Sequence, residues 1–277
     1  MTSISSATAH LVETAEILFI KAQIQAVQAL FPSQRSIAEP IGGGVAAVTK
    51  PSFGRKLNHV AGFGMNGPVS EKDLEAVERL YRGIGLSPEI NLCPFAHHSA
   101  REALDKRGWT VCAEMNAYIL PLREYEDNGN AEEIHITHVS AEEYPIFIET
   151  SVTGFGNNST SDQLDLFHTL ASAATRRGDT RLYLARISGQ IAGAAGMALI
   201  TTPLGRVAEL YIDSTVPEYR GQGVQTALLR ARLDEAKKEG IDVATVTTWP
   251  TGTSARNVER AGFELGYRKD VFTTRQG

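Results

Sequence analysis

The sequence has little of what marks a secreted, membrane-spanning or metal-binding protein. Its two cysteines, Cys93 and Cys112, are too few for a disulfide framework and lack a metal-ligand spacing, so we predict two buried free thiols and no metal site. The longest apolar run near the N-terminus, Ile17–Ile20, is far shorter than the ~20 residues of a membrane span. No basic segment and no cleavage pattern accompany it, so we expect an intracellular, cytoplasmic protein.

An excess of basic charge is also missing. The 27 Lys and Arg residues are outnumbered by 32 Asp and Glu residues, which gives a formal net charge of −5. A protein that binds along DNA or RNA needs a basic surface to neutralise phosphates, so this composition argues against nucleic-acid partners. Hydrophobic residues at 42% and charged residues at 21% are typical of an ordinary folded protein.

Two domain-sized units are expected from the length and from a turn-rich segment near the middle. The segment 123–133 is charged and contains Asp127-Asn128-Gly129-Asn130, a run of turn-forming residues. We therefore predict domains at 1–125 and 132–277. The oligomeric state does not follow from the sequence.

Periodicity places the secondary structure along both units. Apolar residues at helical spacing predict a helix over 7–30, which Pro32 ends. Ser70, followed by acids, is typical of a helix start, and Ser188-Gly189-Gln190 predicts a hairpin. The remaining predicted elements are strands at 43–50, 56–65, 89–93, 110–120, 134–139, 207–215, 243–249 and 264–273, and helices at 99–106, 222–239 and 254–261.

The two units resemble each other in one stretch. Residues 99–109 echo residues 254–263, and each stretch closes a short helix with glycine and an aromatic residue, Gly108-Trp109 and Gly262-Phe263. Glycine commonly ends helices, so the match gains weight from the strand–helix–strand order that precedes it in both units. We predict a tandem repeat.

The most informative segment is the junction between the predicted strand 207–215 and the helix that follows. A helix start exposes unpaired backbone N–H groups at the positive end of the helix dipole, and it can hold an anion there. Gly221 and Gly223 allow a pyrophosphate to approach the backbone, and the Thr226 hydroxyl adds a donor. The glycine pattern of a dinucleotide-binding unit and the Gly-Lys-[Ser/Thr] of a P-loop are both missing.

This junction resembles the signature of the GNAT acetyltransferase superfamily, [Gln/Arg]-x-x-Gly-x-[Gly/Ala]. Arg220 and Gly223 match it, while Gln225 stands where a small residue is usual. The resemblance covers roughly 134–272 and implies an α/β (α+β) fold of two tandem GNAT-like domains, each a mixed, mostly antiparallel twisted sheet flanked by helices. It implies acetyl-CoA as the cofactor. The residues implied to bind it are Ser214, Thr215, Arg220, Gly221, Gln222, Gly223, Val224, Gln225, Thr226 and Asn257.

Candidate catalytic residues lie on the strand before the junction. Strict alternation would place Glu209, Tyr211, Asp213 and Thr215 on one face of the sheet. The resemblance implies that Glu209 takes the proton of the acceptor amine, with Asp213 as the alternative, and that a backbone N–H near residues 213–215 polarises the thioester carbonyl. A paired carboxylate at a strand edge would explain either acid equally well.

A general acid is harder to place. The family often has a Tyr four residues before the Gly-Phe glycine, and Val258 stands there in this chain. Tyr211 or Tyr267 would have to substitute, or the thiolate leaves unassisted. Asn257 is a candidate for cofactor contact, for helix capping or for helix packing alone.

The first unit has a similar strand-to-helix junction with acids in the first helical turn. Glu71 and Asp73 would repel a pyrophosphate, so we interpret this unit as a degenerate domain that helps to wall the substrate cleft. The resemblance then implies direct transfer of an acetyl group from acetyl-CoA to the amine of a small molecule. The missing Tyr and Gln225 leave open a non-catalytic acyl-CoA-binding or interaction protein, or another acyl-CoA reaction on the same fold, such as O-acylation.

Overall fold

A computed structural model describes residues 4–126, 134–156 and 159–274, and the predicted linker core Asp127–Asn130 lies outside them. Eight α-helices are described. They are α1 (Ser6–Leu30), α2 (Gly54–Leu57), α3 (Glu71–Arg82), α4 (His98–Lys106), α5 (Tyr144–Phe155), α6 (Ser161–Ala174), α7 (Val224–Lys238) and α8 (Thr253–Arg260). The strands are β1 (Ile37–Ile41), β2 (Gly44–Val48), β3 (Val60–Ala61), β4 (Glu89–Leu92), β5 (Thr110–Pro121), β6 (Ile134–His138), β7 (Thr180–Ile187), β8 (Gln190–Thr202), β9 (Gly205–Thr215), β10 (Val243–Thr248) and β11 (Glu264–Thr273).

All eleven strands form one mixed, mostly antiparallel sheet in the order β1-β2-β3-β4-β11-β5-β10-β9-β8-β7-β6. The two halves meet by exchanging strands. β5 of the N-terminal half lies between β10 and β11, and β11 of the C-terminal half lies between β4 and β5. Beyond the β11–β5 pair, the strands follow in descending order on each side, from β4 to β1 on one side and from β10 to β6 on the other. This symmetry confirms the tandem organisation. Each half also contributes one strand to the sheet of the other half.

The echoed stretches occupy equivalent places in the two halves. α4 and α8 both end on a glycine with positive φ, 72° at Gly108 and 94° at Gly262. The next residue then bonds back into the helix, since the Trp109 N–H donates to Leu104 O at 3.0 Å and the Phe263 N–H donates to Val258 O at 3.1 Å. Both aromatic rings are buried, so glycine supplies the turn and the aromatic residue anchors it.

Helices cover the two faces of the sheet. α1 packs on β2, β8 and β9, and its apolar side chains meet Val207 and Val243. α7 packs on the opposite face, where it meets their sequence neighbours Ala208 and Ala244. Alternating residues of β9 and β10 thus enter two different cores, as strand geometry requires. No helix in the described ranges is both long enough and apolar enough to cross a bilayer.

The strand predicted over 56–65 is wrong for most of its length. Residues through Leu57 continue a helical turn, and Asn58 secures that turn by donating to Gly54 O at 2.9 Å and accepting from the Thr49 N–H at 2.6 Å. Gly62 and Gly64 have φ of 67° and 77°, which an extended strand does not allow. Only Val60–Ala61 pairs in the sheet. The edge strand β1, which contains Pro40, was not predicted. Cys93 is buried and Cys112 is exposed, so the predicted burial of the Cys112 thiol is wrong.

Candidate functional site

The glycine turn predicted to hold an anion lies at the start of α7. Gly221 and Gly223 both have positive φ, 80° and 85°, and no side chain caps the helix. A Cβ added at Gly221 would meet no atom within 4 Å, and one at Gly223 would meet only Ile134 Cδ1 at 3.8 Å. The space beside both glycines is therefore open, next to a helix start that no side chain caps, and this suits a pyrophosphate.

Several side chains predicted to bind the cofactor form hydrogen bonds within the protein. Arg220 Nη2 donates to Gly154 O at 3.0 Å, Gln222 Nε2 donates to Glu218 O at 3.1 Å, and Asn257 Nδ2 donates to Gln225 Oε1 at 2.5 Å. The last bond joins α8 to α7, so helix packing accounts for Asn257. It also ties the Gln225 side chain to α8. The structure thus presents the backbone of this loop, more than its side chains, to an anion.

Other predicted cofactor residues sit inside the fold or at its edge. Val224 is buried in the core that α7 forms with the sheet, and Thr226 is half-buried in the first turn of α7. Ser214 is buried against Gly154, whose added Cβ would come within 2.5 Å of Ser214 Cβ. Within the described residues the Ser214 hydroxyl has no hydrogen-bond partner. Thr215 ends β9, opposite Gly193.

A β-bulge in β9 overturns the expected alternation. Gly196 lies opposite Tyr211 and Ala194 opposite Ser214, so Ile212 and Asp213 together face one residue of β8. Ile212 takes a φ of 55°, which is rare for a β-branched residue. The prediction that Glu209, Tyr211 and Asp213 share a face is therefore wrong beyond Tyr211. The predicted oxyanion donor would lie at this bulge, where the ladder leaves a residue unpaired.

The bulge turns Asp213 toward α7, where it meets Arg232. The Arg232 side chain is fully buried, and it donates to Asp213 Oδ2 at 3.1 Å, to Gly196 O at 2.9 Å and to Leu228 O at 2.9 Å. A second guanidinium nitrogen contacts Asp213 Oδ1. Asp213 is thus the counter-charge of a buried guanidinium group, and its use as the alternative base stays a prediction.

The strand that carries Glu209 separates from its parallel neighbour at that residue. β9 and β10 pair at Val207–Val243, Ala208–Ala244 and Glu209–Thr245, and the pairing ends there. β9 continues for six residues to Thr215 and the cradle, while β10 ends at Thr248. A gap between the strands thus leads from the anion cradle to Glu209.

Next to this gap lies a cavity of about 300 Å³ between the two halves. More than half of its lining comes from the N-terminal half. The residues are Glu16, Phe19, Ile20, Gln23, Arg55, Lys56, His59, Asn91, Met115, Ser151, Phe155, Phe167, Leu170, Glu209, Tyr211, Ile212 and Thr247.

Glu209 is the buried carboxyl group of this cavity. Its side chain is 8% exposed, and it has no hydrogen bond or ion pair with any residue that the structure describes. Burial, followed by the charge of Glu16, raises the pKa of Glu209 from 4.5 to about 8. A cavity-facing carboxyl group with such a pKa can exchange a proton with a bound base near neutral pH.

The two tyrosines proposed as substitutes for the acid differ in position. Tyr211 lines the cavity, packs edge-on against Phe19 at 4.9 Å, and shares a hydrogen bond of 2.9 Å with Thr180 Oγ1. Burial raises its pKa to about 12. Tyr267 instead donates to the buried Glu13 at 2.5 Å. Val258, at the family's Tyr position, is buried in the α7 core, so among the described residues Tyr211 is the one candidate acid that lines the cavity.

A buried ion cluster next to the cavity joins the two halves, and it shares Glu16 with the cavity lining. We did not predict this cluster from the sequence. Lys269 of β11 is 1% exposed and contacts two acids of α1, Glu13 Oε1 at 2.6 Å and Glu16 Oε2. The sequence feature that could have predicted it is the pair of acids Glu13 and Glu16, three residues apart within an apolar helix. Such residues share a helix face and need a buried cation if that face is inside.

The far wall of the cavity is polar as well. Arg55 donates to Glu89 Oε2 at 2.7 Å and to Asn91 Oδ1 at 3.0 Å, and it lies 4.7 Å from the centre of the Trp249 ring. His59 donates through Nδ1 to Arg55 O at 2.8 Å. Burial lowers the pKa of His59 to about 4, so its ring is neutral.

The corresponding junction in the N-terminal half is closed to anions. Ser70 and Asp73 form a capping box, in which Asp73 Oδ2 accepts the Ser70 N–H at 2.8 Å. Glu71 pairs with Lys106. The start of α3 is therefore satisfied by its own side chains and carries negative charge, unlike the start of α7.

Known proteins share this architecture. The sequence model of the Acetyltransferase (GNAT) family matches residues 144–263. A GCN5-related N-acetyltransferase from Kribbella flavida is similar with a TM-score of 0.65 and 17% identity, over 94% of this chain and 96% of that chain. A tandem GNAT protein from the clavulanic acid biosynthesis pathway has a TM-score of 0.56 and 13% identity, over 94% of both chains. A search of curated proteins finds no match.

Proposed function

Because residues 144–263 form a domain of the GNAT acetyltransferase family, we propose that this protein transfers an acetyl group from acetyl-CoA directly to the amine of a small molecule. The observation that carries the proposal is Glu209, a buried carboxyl group without a partner among the described residues, which faces a cavity where β9 and β10 separate. The predicted domain boundary at residues 125–132 would then separate an N-terminal half that forms part of the cavity wall from a C-terminal half that carries the catalytic residues.

The cofactor would be held at the cradle. The backbone N–H groups at Gly221, Gly223 and the first turn of α7 would bind its pyrophosphate, and the strand gap leads from there to the cavity. Bound acetyl-CoA would supply the acetyl group as an activated thioester. The bulge at Ile212 and Asp213 is the candidate place for a backbone N–H that polarises the thioester carbonyl.

Glu209 would accept the proton that the amine must lose. An ammonium ion has no free electron pair, so the nitrogen can attack only after deprotonation. A carboxylate whose pKa is about 8 accepts that proton far more readily than an ordinary one, because the two pKa values lie closer together. Only the ionised form can act, so turnover is expected to rise with pH through about 8.

Thiol release with a panel of primary amines tests the proposal. We expect amine-dependent release of CoA and an N-acetylated product that carries the label of acetyl-labelled acetyl-CoA. Saturable acetyl-CoA binding without thiol release for any amine would favour the non-catalytic alternative. Release with alcohols and not with amines would favour O-acylation at the same site.

A further inference from the structure

The cavity is long, and its two ends lie on different halves of the protein. Glu209 is on β9 and Asn91 is on β4, and the strands β10, β5 and β11 lie between them. Four inter-strand steps of about 4.8 Å separate these backbones by roughly 19 Å. A molecule that filled the cavity would therefore extend from the strand gap to the wall formed by the N-terminal half.

Much of the cavity lining is apolar, although the polar Glu16, Gln23 and His59 also line it. The hydrocarbon side chains that line it come from α1, α6 and β5, and they are Phe19, Ile20, Phe167, Leu170 and Met115. An acceptor that occupied this stretch would bury an apolar body, which stabilises its binding in proportion to the area removed from water.

The far end carries an uncompensated positive charge. Arg55 is neutralised by Glu89, but the neighbouring Lys56 also lines the cavity and has neither a hydrogen bond nor an acidic partner within the described ranges. Lys56 is exposed to solvent, so its ammonium group can meet an anion that enters this end of the cavity.

Resting on the proposed function, we propose that the acceptor is an elongated primary amine whose far end bears an anionic group, a carboxylate or a phosphate, and that Lys56 selects for this group. The amine end would lie at Glu209, the apolar body against Phe19, and the anion at Lys56. The spacing of these three features favours acceptors with the two polar groups at opposite ends.

Matched acceptor pairs test this selection. para-(Aminomethyl)benzoate is compared with para-methylbenzylamine, and aminohexanoate and aminohexyl phosphate are compared with hexylamine. We expect kcat/KM to favour the anionic member of a pair by about tenfold or more, which is about 1.4 kcal/mol. A larger preference for the carboxylate or for the phosphate identifies the source of the anion. Equal kcat/KM within every pair would overturn the inference.

Substitutions of Lys56 test whether this residue causes the preference for anionic amines. Lys56→Gln should raise KM for the anionic amines and remove most of the preference, and Lys56→Glu should reverse it. Lys72→Gln is the control, because Lys72 is an exposed lysine of α3 away from the cavity. A preference that survives in both Lys56 variants would contradict the assignment to this residue.

Binding of para-methylbenzoate separates this inference from the proposed function, because this probe lacks an amine and needs no turnover. Calorimetry should show binding that Lys56→Gln weakens about tenfold and Lys72→Gln leaves unchanged. If Lys56-dependent binding is seen and no amine is acetylated, the proposed function fails and the anion site stands. If the probe binds without dependence on Lys56, or does not bind, the anion site is overturned whatever the turnover shows.

Discussion

Glu209 and Thr245 are the last residues at which β9 and β10 lie opposite each other. A parallel pair that parts inside a sheet leaves backbone groups without their ladder partners, and a ligand can insert there. Because Glu209 is also buried at the edge of the cavity, the strand parting and the candidate base coincide.

Glu209→Gln should lower turnover of an amine by ~10²–10⁴-fold, since the carboxylate that accepts the proton is lost while its shape is kept. Acetyl-CoA affinity should change little, because Glu209 lies six residues upstream of the end of β9. The loss should shrink at higher pH, where more amine is neutral. Steady-state kinetics across pH measures this, and turnover near wild type at every pH would make Glu209 structural.

Asp213→Asn is the matched carboxylate variant. It should reduce stability more than it reduces turnover per folded molecule, because it leaves the buried Arg232 guanidinium without its counter-charge. A folded Asp213→Asn protein that had lost activity, next to an active Glu209→Gln, would instead identify Asp213 as the base.

The free energy of unfolding should depend on pH because of Glu209. Its pKa rises from 4.5 to about 8 on folding, so between these values the folded state holds a proton that the unfolded chain has released. Wild-type stability relative to Glu209→Gln should therefore fall as pH rises, by up to about 1.4 kcal/mol per pH unit, and level off above about pH 8. Urea titrations at about pH 5, 7 and 9 measure this difference, and a pH-independent difference would contradict the raised pKa.

Gly223→Glu should abolish acetyl-CoA binding and leave the fold largely intact, because the new carboxylate would occupy the anion cradle. Gly108→Glu is the control. It adds the same charge at a glycine with a similar φ, 72° against 85°, and its added Cβ meets no atom within 4 Å. Calorimetry with both variants separates backbone strain from loss of the cradle, and unchanged affinity in folded Gly223→Glu would refute this placement of the pyrophosphate.

Acetyl-CoA should bind once per chain, because the start of α3 is closed by Asp73 and made acidic by Glu71. The full chain is needed for this measurement, since each isolated half would lack the strand that the other inserts beside its own. Calorimetric stoichiometry is the readout. Two equivalents in the wild type, or one equivalent left in Gly223→Glu, would place a cofactor in the N-terminal half.

Lys269→Met should destabilise the fold by about 3–5 kcal/mol, because it leaves Glu13 and Glu16 buried without a cation. The loss should shrink at acid pH, where protons can neutralise the acids, and adding Glu13→Gln and Glu16→Gln should recover part of it. Lys72→Met, at an exposed site, should change stability by no more than about 0.5 kcal/mol. Chemical denaturation tests the series, and a small effect at Lys269 would show that the cluster contributes little.

The sequence by itself determined the local features of this protein. The glycine turn between a strand and an amphipathic helix, and the helix start at Ser70 with acids in its first turn, were both predicted from the sequence. These depend on backbone conformation and on neighbours within a few residues, which a linear pattern records. The repeat was visible for the same reason, since Gly108-Trp109 and Gly262-Phe263 end their helices by the same local bonds.

The tertiary structure alone decided which distant residues meet. Exchange of β5 and β11 brings Lys269 to α1, and the bulge at Ile212 sends Asp213 to Arg232 while Glu209 stays in the cavity. One extra residue in a strand reverses the faces of all that follow, and strict alternation cannot anticipate it. The cavity wall at Arg55 is held by Glu89 and Asn91, which lie 34 and 36 positions away in the sequence, so no local pattern predicted it.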